Sequence, residues 1–340
     1  MNFESFCEYL KNNNKINYNL LNEKNAYYVN YFLYRIKVAF DNYSKESSDI
    51  NKRWFNNRLN IFMKDEDIRN LAGILGELQI YGLLSNSPFK HWLKCVKTTN
   101  EKKTPDFIYE NYCRQEKIKV NIEVASSLGT KDEKKQRTEQ NEIYPYGKPK
   151  REGIDNSLSE VISMINRIKE PDSQMKEEDI NILAINFVNP IGECIFLNIL
   201  KERGKPYFIN KEGDNNTIYT GGIWQAFYSK KGDRIFGSIG MDDYIKEEIY
   251  KMEYNSRFQG KSVVDFAIIN TYEGVFIYQN FNRKIEIPKH IYKCLMSLDN
   301  INIDNVFLNF PINNLEERVN YYRELGEAYL KEAEESKSYV

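Results

Sequence analysis

Between Asn2 and Met63, apolar and aromatic side chains recur at steps of three and four, most densely over Tyr27, Tyr28, Tyr31, Phe32, Tyr34, Val38 and Phe40. A period near 3.6 stacks such residues on one face of a helix, so two or three packed helices are expected there. A further helix is expected from Asp65 or Asp67 to Leu84. Ser85-Asn86-Ser87-Pro88 stops it, a run of turn formers ending in a residue without an amide hydrogen. The period then changes. His91–Lys97, Asp106–Tyr109 and Lys117–Val124 are short runs rich in β-branched and aromatic residues between polar turns, which predicts a meander of three strands.

After a charged, loop-rich stretch from Ser126 to Gly153, Ser157–Lys169 aligns Leu158, Val161, Ile162, Ile165 and Ile168 on one helical face. Ile180–Phe187 is a nearly continuous apolar run, the pattern of a strand covered on both faces. Helix, three strands, helix and buried strand define an α/β core. Further along, Ile191–Arg203 reads as helix and Gly221-Gly222 as a turn within a segment, Gly221–Ile239, that mixes glycines with aromatics. Val263–Tyr278 reads as two strands around Tyr272-Glu273-Gly274, and Leu315–Ser336 as an amphipathic, charge-rich helix. The expected organisation is an N-terminal helical region over residues 1–66, a core over 67–200 and a C-terminal α/β extension over 201–340, either separate from the core or part of the same globule. No repeat or low-complexity linker marks a clean boundary between them.

Composition narrows the chemistry. With 340 residues, 41% apolar and 29% charged, the chain is long enough to bury a full core. No stretch approaches the roughly 18 apolar residues of a membrane span. The start, MNFESFCEYLKNNN, lacks the basic flank and apolar run of a signal peptide, so the cytoplasm is the expected location. Cys7, Cys95, Cys113, Cys194 and Cys294 stand singly, which speaks against a zinc cage or a disulfide framework. A net charge of −1 excludes polybasic binding and leaves local basic surfaces. The two histidines, His91 and His290, lie far apart, so carboxylates, lysines and hydroxyls remain for catalysis. Ser126 and Ser127 have no histidine nearby and no G-x-S-x-G turn, so acyl transfer is not expected.

Three carboxylates stand out. Asp106 opens one strand after Pro105 and Glu123 lies towards the end of the next, so a hairpin brings the two side by side. Glu77 lies in the preceding helix among Ile74, Ile80 and Tyr81, where an unpaired carboxylate is costly unless a cation holds it. Each has an ordinary alternative. Glu77 can pair with a basic neighbour such as Arg69, Asp106 can cap the turn after Pro105, and Glu123 can be an exposed acid on the pleat of Lys119, Asn121 and Ala125. Converging carboxylates suit magnesium, which takes hard oxygen ligands and keeps several of its waters.

The segment from about Leu71 to Phe187 resembles the PD-(D/E)xK nuclease superfamily. Gly76-Glu77-Leu78 is similar to its first-helix acid, Pro105-Asp106-Phe107-Ile108 to its proline-aspartate strand, and Ile122-Glu123-Val124 to its second acidic strand. The resemblance implies a restriction-endonuclease-like core, a central mixed sheet flanked by helices. Its implied activity is a magnesium-dependent DNA endonuclease of restriction or phage defence. Glu77, Asp106 and Glu123 would hold Mg2+, with Mn2+ able to substitute, and a dimer or a partner defence protein would complete the system. One departure matters: two residues after the second acid, where the superfamily carries a lysine, stands Ala125. Lys119, on the strand face of Glu123, or Lys131, Lys134 and Lys135 are the candidates to replace it. The alternative is a catalytically silent module that binds nucleic acid or assembles with a partner chain. Lys131, Lys134, Lys135, Arg137, Lys148, Lys150 and Arg151 form a basic stretch that either contacts phosphates or is an ordinary solvated helix and loop, and Gln140 with Tyr144 has the spacing of a glutamine-tyrosine pair of some superfamily members.

Overall fold

The computed structural model describes residues 1–13, 26–65, 68–96, 104–113, 116–127, 165, 175–187, 205–206, 208–209, 218–219, 221–232, 256–271, 273–311 and 314–337. Among these, four helices precede the first strand: α1 (Phe3–Asn13), α2 (Ala26–Ser44), α3 (Asp49–Lys64) and α4 (Ile68–Ser85). Ser48 starts α3 by accepting the Asn51 amide at 3.4 Å, and Asp49 places a negative charge against the helix's positive end. α4 is buried nearly all round, from Leu71 and Ala72 through Leu75 and Leu78 to Leu84, as befits a helix enclosed between other elements. Its backbone touches that of α2 at Gly82, where a Cβ would stand 2.1 Å from the Arg35 carbonyl oxygen, so no larger residue fits. The turn formers after Leu84 act as their chemistry dictates. Ser87 accepts the Phe89 amide at 3.2 Å and opens a 3-10 turn over Pro88–His91.

The described strands form a seven-stranded sheet. β1 (Leu93–Cys95), β2 (Phe107–Cys113) and β3 (Glu116–Ser127) pair antiparallel as the expected meander. β4 (Ile180–Phe187) then runs parallel to β3. Two residue pairs, β5 (Phe208–Ile209) and β6 (Ile218–Tyr219), make a separate ribbon. β7 (Phe266–Thr271) extends the sheet parallel to β4, β8 (Gly274–Gln279) returns antiparallel to β7, and β9 (Ile301–Phe307) closes the edge parallel to β8. Further helices among the described residues are α5 (Gly222–Tyr228), α6 (Lys289–Met296) and α7 (Leu315–Lys337).

Alternation along the central strands divides the core into two layers. Ile180, Ile182, Phe266 and Ile268 join Phe6, Phe40, Phe55 and Phe62 of the N-terminal helices and most of α4 in one apolar cluster. Leu183, Ile185, Ala267 and Ile269 face the other way, towards α5 and towards Leu315 and Val319 of α7. A mixed sheet with helices on both faces is the α/β fold expected from the sequence. Side chains from Phe6 to Leu308 share the first cluster.

Other departures have local causes. β2 begins one residue after Asp106, and His91 belongs to the 3-10 turn ahead of the three-residue β1. Gly221, read as part of a turn, has φ 100° and caps α5, whose seven residues are all buried. Short helix α6 and polar-rich β9 are not expected from the sequence, since eight residues span barely two helical turns and a partly exposed edge strand lacks a continuous apolar run. Of Ser157–Lys169, Ile165 is described, helical and fully buried; Ile191–Arg203 lies outside the described residues. No described helix is long and apolar enough to cross a membrane.

Candidate active site

The rim of the sheet where β2 begins is formed by close contact between α4 and β3. At Gly76 a Cβ would lie 1.7 Å from Ser126 Oγ, so the helix approaches the strand as nearly as its backbone allows. That contact seats the next residue, Glu77, with 13% of its side chain exposed. Arg58, reaching over from α3, places Nε 2.6 Å from Glu77 Oε2, and its guanidinium lies 5.9 Å from the centre of the Trp54 ring. The basic partner is thus Arg58 rather than a neighbour on α4.

Asp106 stands just ahead of β2. Its Oδ2 accepts the Val124 amide of β3 at 2.8 Å, which ties the loop after Pro105 to the neighbouring strand. Phe107 pairs with Ile122, so extending the register by one residue sets Asp106 opposite Glu123. Glu123 is half-buried and shares its pleat with Ala125, which packs against the second apolar cluster.

The charges of Glu77 and Asp106 interact. Burial, followed by the negative charge of Asp106, pushes Glu77 up to about 8, against the pull of Arg58. Burial raises Asp106 as well, opposed by the Val124 amide and by Arg58. Two acids raised by burial, one of them also by the other's charge, are poised to exchange protons for a cation.

Among the described residues, no three His, Cys, Asp or Glu side chains stand close enough together to form a ready metal cage. Magnesium does not require one. Two carboxylates with water filling the remaining positions match its habits, and oxygen is the sole ligand type that Glu77, Asp106 and Glu123 offer. By that chemistry the residues present fit a magnesium ion.

The lysine candidates fare differently. Lys119 holds Asp179 at 2.6 Å and stands four residues before Glu123, about 13 Å along β3. Asp179 also accepts Asn121 Nδ2 at 3.0 Å, and Asn121 bonds Asn181 Oδ1 at 3.0 Å, so Lys119 belongs to a polar knot that joins β3 to β4. Lys131, Lys134, Lys135, Arg137, Gln140, Tyr144, Lys148, Lys150 and Arg151 lie outside the described residues.

Arg58 escaped the sequence reading. Trp54, Phe55, Leu59 and Phe62 are the buried stripe of α3, and Arg58 sits beside it at the same helical spacing. A charged residue against an apolar stripe was the signal that singled out Glu77, and it applied equally here. No known protein family, no curated protein and no solved structure matches the chain, so the fold and this carboxylate rim stand as the basis for its function.

Proposed function

We propose that the protein is a magnesium-dependent DNA endonuclease, a cytoplasmic enzyme of restriction or phage defence. The observation that carries the proposal is the shielded pair Glu77 and Asp106 at the mouth of the β2–β3 hairpin, each raised above its ordinary range, with Glu123 across the register. Glu77 and Asp106 would hold the ion, with Glu123 on the adjoining strand as third ligand or as acceptor of a water proton. A bound magnesium ion supplies polarisation of the phosphoryl oxygen and acidification of water. The chain's contribution is the fixed geometry: Gly76 sets the depth of Glu77, the Val124 amide orients Asp106, and Arg58 brings positive charge to both acids.

A second reading, a catalytically silent nuclease-like module that binds nucleic acid or a partner chain, is favoured by two observations. Ala125 occupies the place of the superfamily's lysine, and Glu77 already has a cationic partner in Arg58.

Plasmid and linear DNA incubated with Mg2+ or Mn2+ separate the two. Wild type should cleave, and Asp106→Asn and Glu123→Gln should fall to background while remaining folded. Cleavage that survives both substitutions removes the site, and a folded wild type inert with both metals favours the silent module. Ala125→Lys sharpens the outcome, because a gain in rate marks a core that lacks its lysine and no change marks one in which another cation fills the role.

A further inference from the structure

Arg58 comes from α3, in the helical region ahead of the nuclease-like segment, yet it ends at the carboxylate rim. Its side chain is 14% exposed and that of Glu77 13%, so the pair is shielded from water on both sides. A shielded ion pair is a weak means of stabilisation, because the cost of stripping water from both charges cancels most of the attraction. Its composition is also unbalanced. Two acids, Glu77 and Asp106, face one guanidinium, which lowers the carboxyl ranges of both and fully satisfies neither. Counted as ionised, Glu77, Asp106 and Glu123 carry three negative charges against the one positive charge of Arg58, and a dication brings the group to balance while taking over the carboxylates, which frees the guanidinium for a phosphodiester.

We propose that Arg58 is the resident counter-ion of this carboxylate pair, displaced from Glu77 when a divalent cation binds and then left beside the cation to hold the phosphodiester. It would fill from α3 the place that Ala125 leaves empty on β3. Arginine suits this task because its planar fork binds carboxylate and phosphate alike and keeps its charge at any working pH. The Trp54 ring beneath the guanidinium offers a resting surface that does not depend on Glu77. The inference rests on the nuclease reading and concerns what the chain's own cation does there.

Competition between Arg58 and the dication is measurable without catalysis. Mn2+ alone, titrated calorimetrically into DNA-free protein, should bind Arg58→Gln about 5-fold or more tightly than wild type, since a competing charge has gone. Affinity for a phosphorothioate DNA duplex in the presence of Mn2+ should move the opposite way, falling in Arg58→Gln and recovering in Arg58→Lys. Mn2+ affinity equal to or weaker than wild type in folded Arg58→Gln overturns the role of Arg58 and leaves the nuclease reading standing. A wild type that takes up no Mn2+ removes both. Should Arg58→Gln fail to fold, the Nε–H resonance of Arg58 in wild type, assigned with Arg58→Lys, decides: a shift on saturation with Mg2+ supports displacement, and an unmoved signal overturns it.

Discussion

Glu77 makes the fold's demands and the site's demands oppose one another. Its ordinary value is 4.5, and burial beside Asp106 raises it to about 8. A raised acid binds its proton more tightly in the folded chain than in the unfolded one. The stabilisation is therefore complete below the unfolded value and is lost as pH climbs from about 4.5 to about 8. In the absence of divalent cations, denaturant midpoints should accordingly fall between pH 5.5 and pH 8, and Glu77→Gln should flatten that slope. An identical slope in the variant would show that other groups are responsible. Gly76 is the steric counterpart. Gly76→Ala should cost about 1–3 kcal/mol by overpacking against Ser126, and Ser126→Gly in the same chain should recover part of the loss because both clashing atoms disappear. Urea unfolding of the two variants checks this. The three carboxylates were legible because each combined a charge with an apolar or strand context. Arg58 had the same signature, but its partner lay 19 residues away across a turn, a distance that helical spacing cannot bridge.

At the scale of elements, two polar devices fix how helices and strands meet. Asn186 at the end of β4 donates to Gln79 of α4 and accepts Asn270 Nδ2 of β7 at 2.6 Å, all three side chains being buried. Such a ladder pins the register of the two parallel strands under α4, because a shift by one residue would strand every member without partners. Asn270→Leu should cost about 1–3 kcal/mol by depriving the buried Asn186 Oδ1 of its donor, measurable as a lowered midpoint with unchanged denaturant slope. A second clamp joins α2 to the turn before β9. Arg35, wholly buried, gives Nη1 to Asp299 Oδ2 and Nη2 to the Asp299 carbonyl, both at 2.9 Å. Asp299→Ala removes the carboxylate while the bond to the residue 299 carbonyl remains, so a loss near or below the lower end of about 3–5 kcal/mol is expected, smaller also because Asp299 retains 34% exposure. Neither device was visible in the chain. Asparagine and arginine have polar side chains at home on any surface, and their burial follows from which strands and helices become neighbours.

At the scale of the whole molecule, one sheet carries both apolar clusters, with α1 to α4 on one face and α5 and α7 on the other. Removing either layer would bare the sheet, so the layers should unfold together. Trp54, 6% exposed, reports the first cluster and Trp224, 3% exposed, the second. With Trp92 replaced by Phe as background, fluorescence of Trp54→Phe and Trp224→Phe should therefore give denaturation midpoints that coincide with each other and with far-ultraviolet circular dichroism. Distinct midpoints would show that the two clusters unfold independently.

Residue patterns by themselves determined the element types of the first half, the meander of three strands, the buried β4, and the carboxylates worth watching, because period and local turn chemistry act within a few residues. Tertiary structure alone decided the rest. It placed β7 beside β4, gave Glu77 the partner Arg58, and bound Lys119 to Asp179 some distance from the rim. Those pairings depend on which surfaces meet when the chain condenses, and long-range charge and packing, unlike periodicity, leave no mark at fixed spacing along a chain.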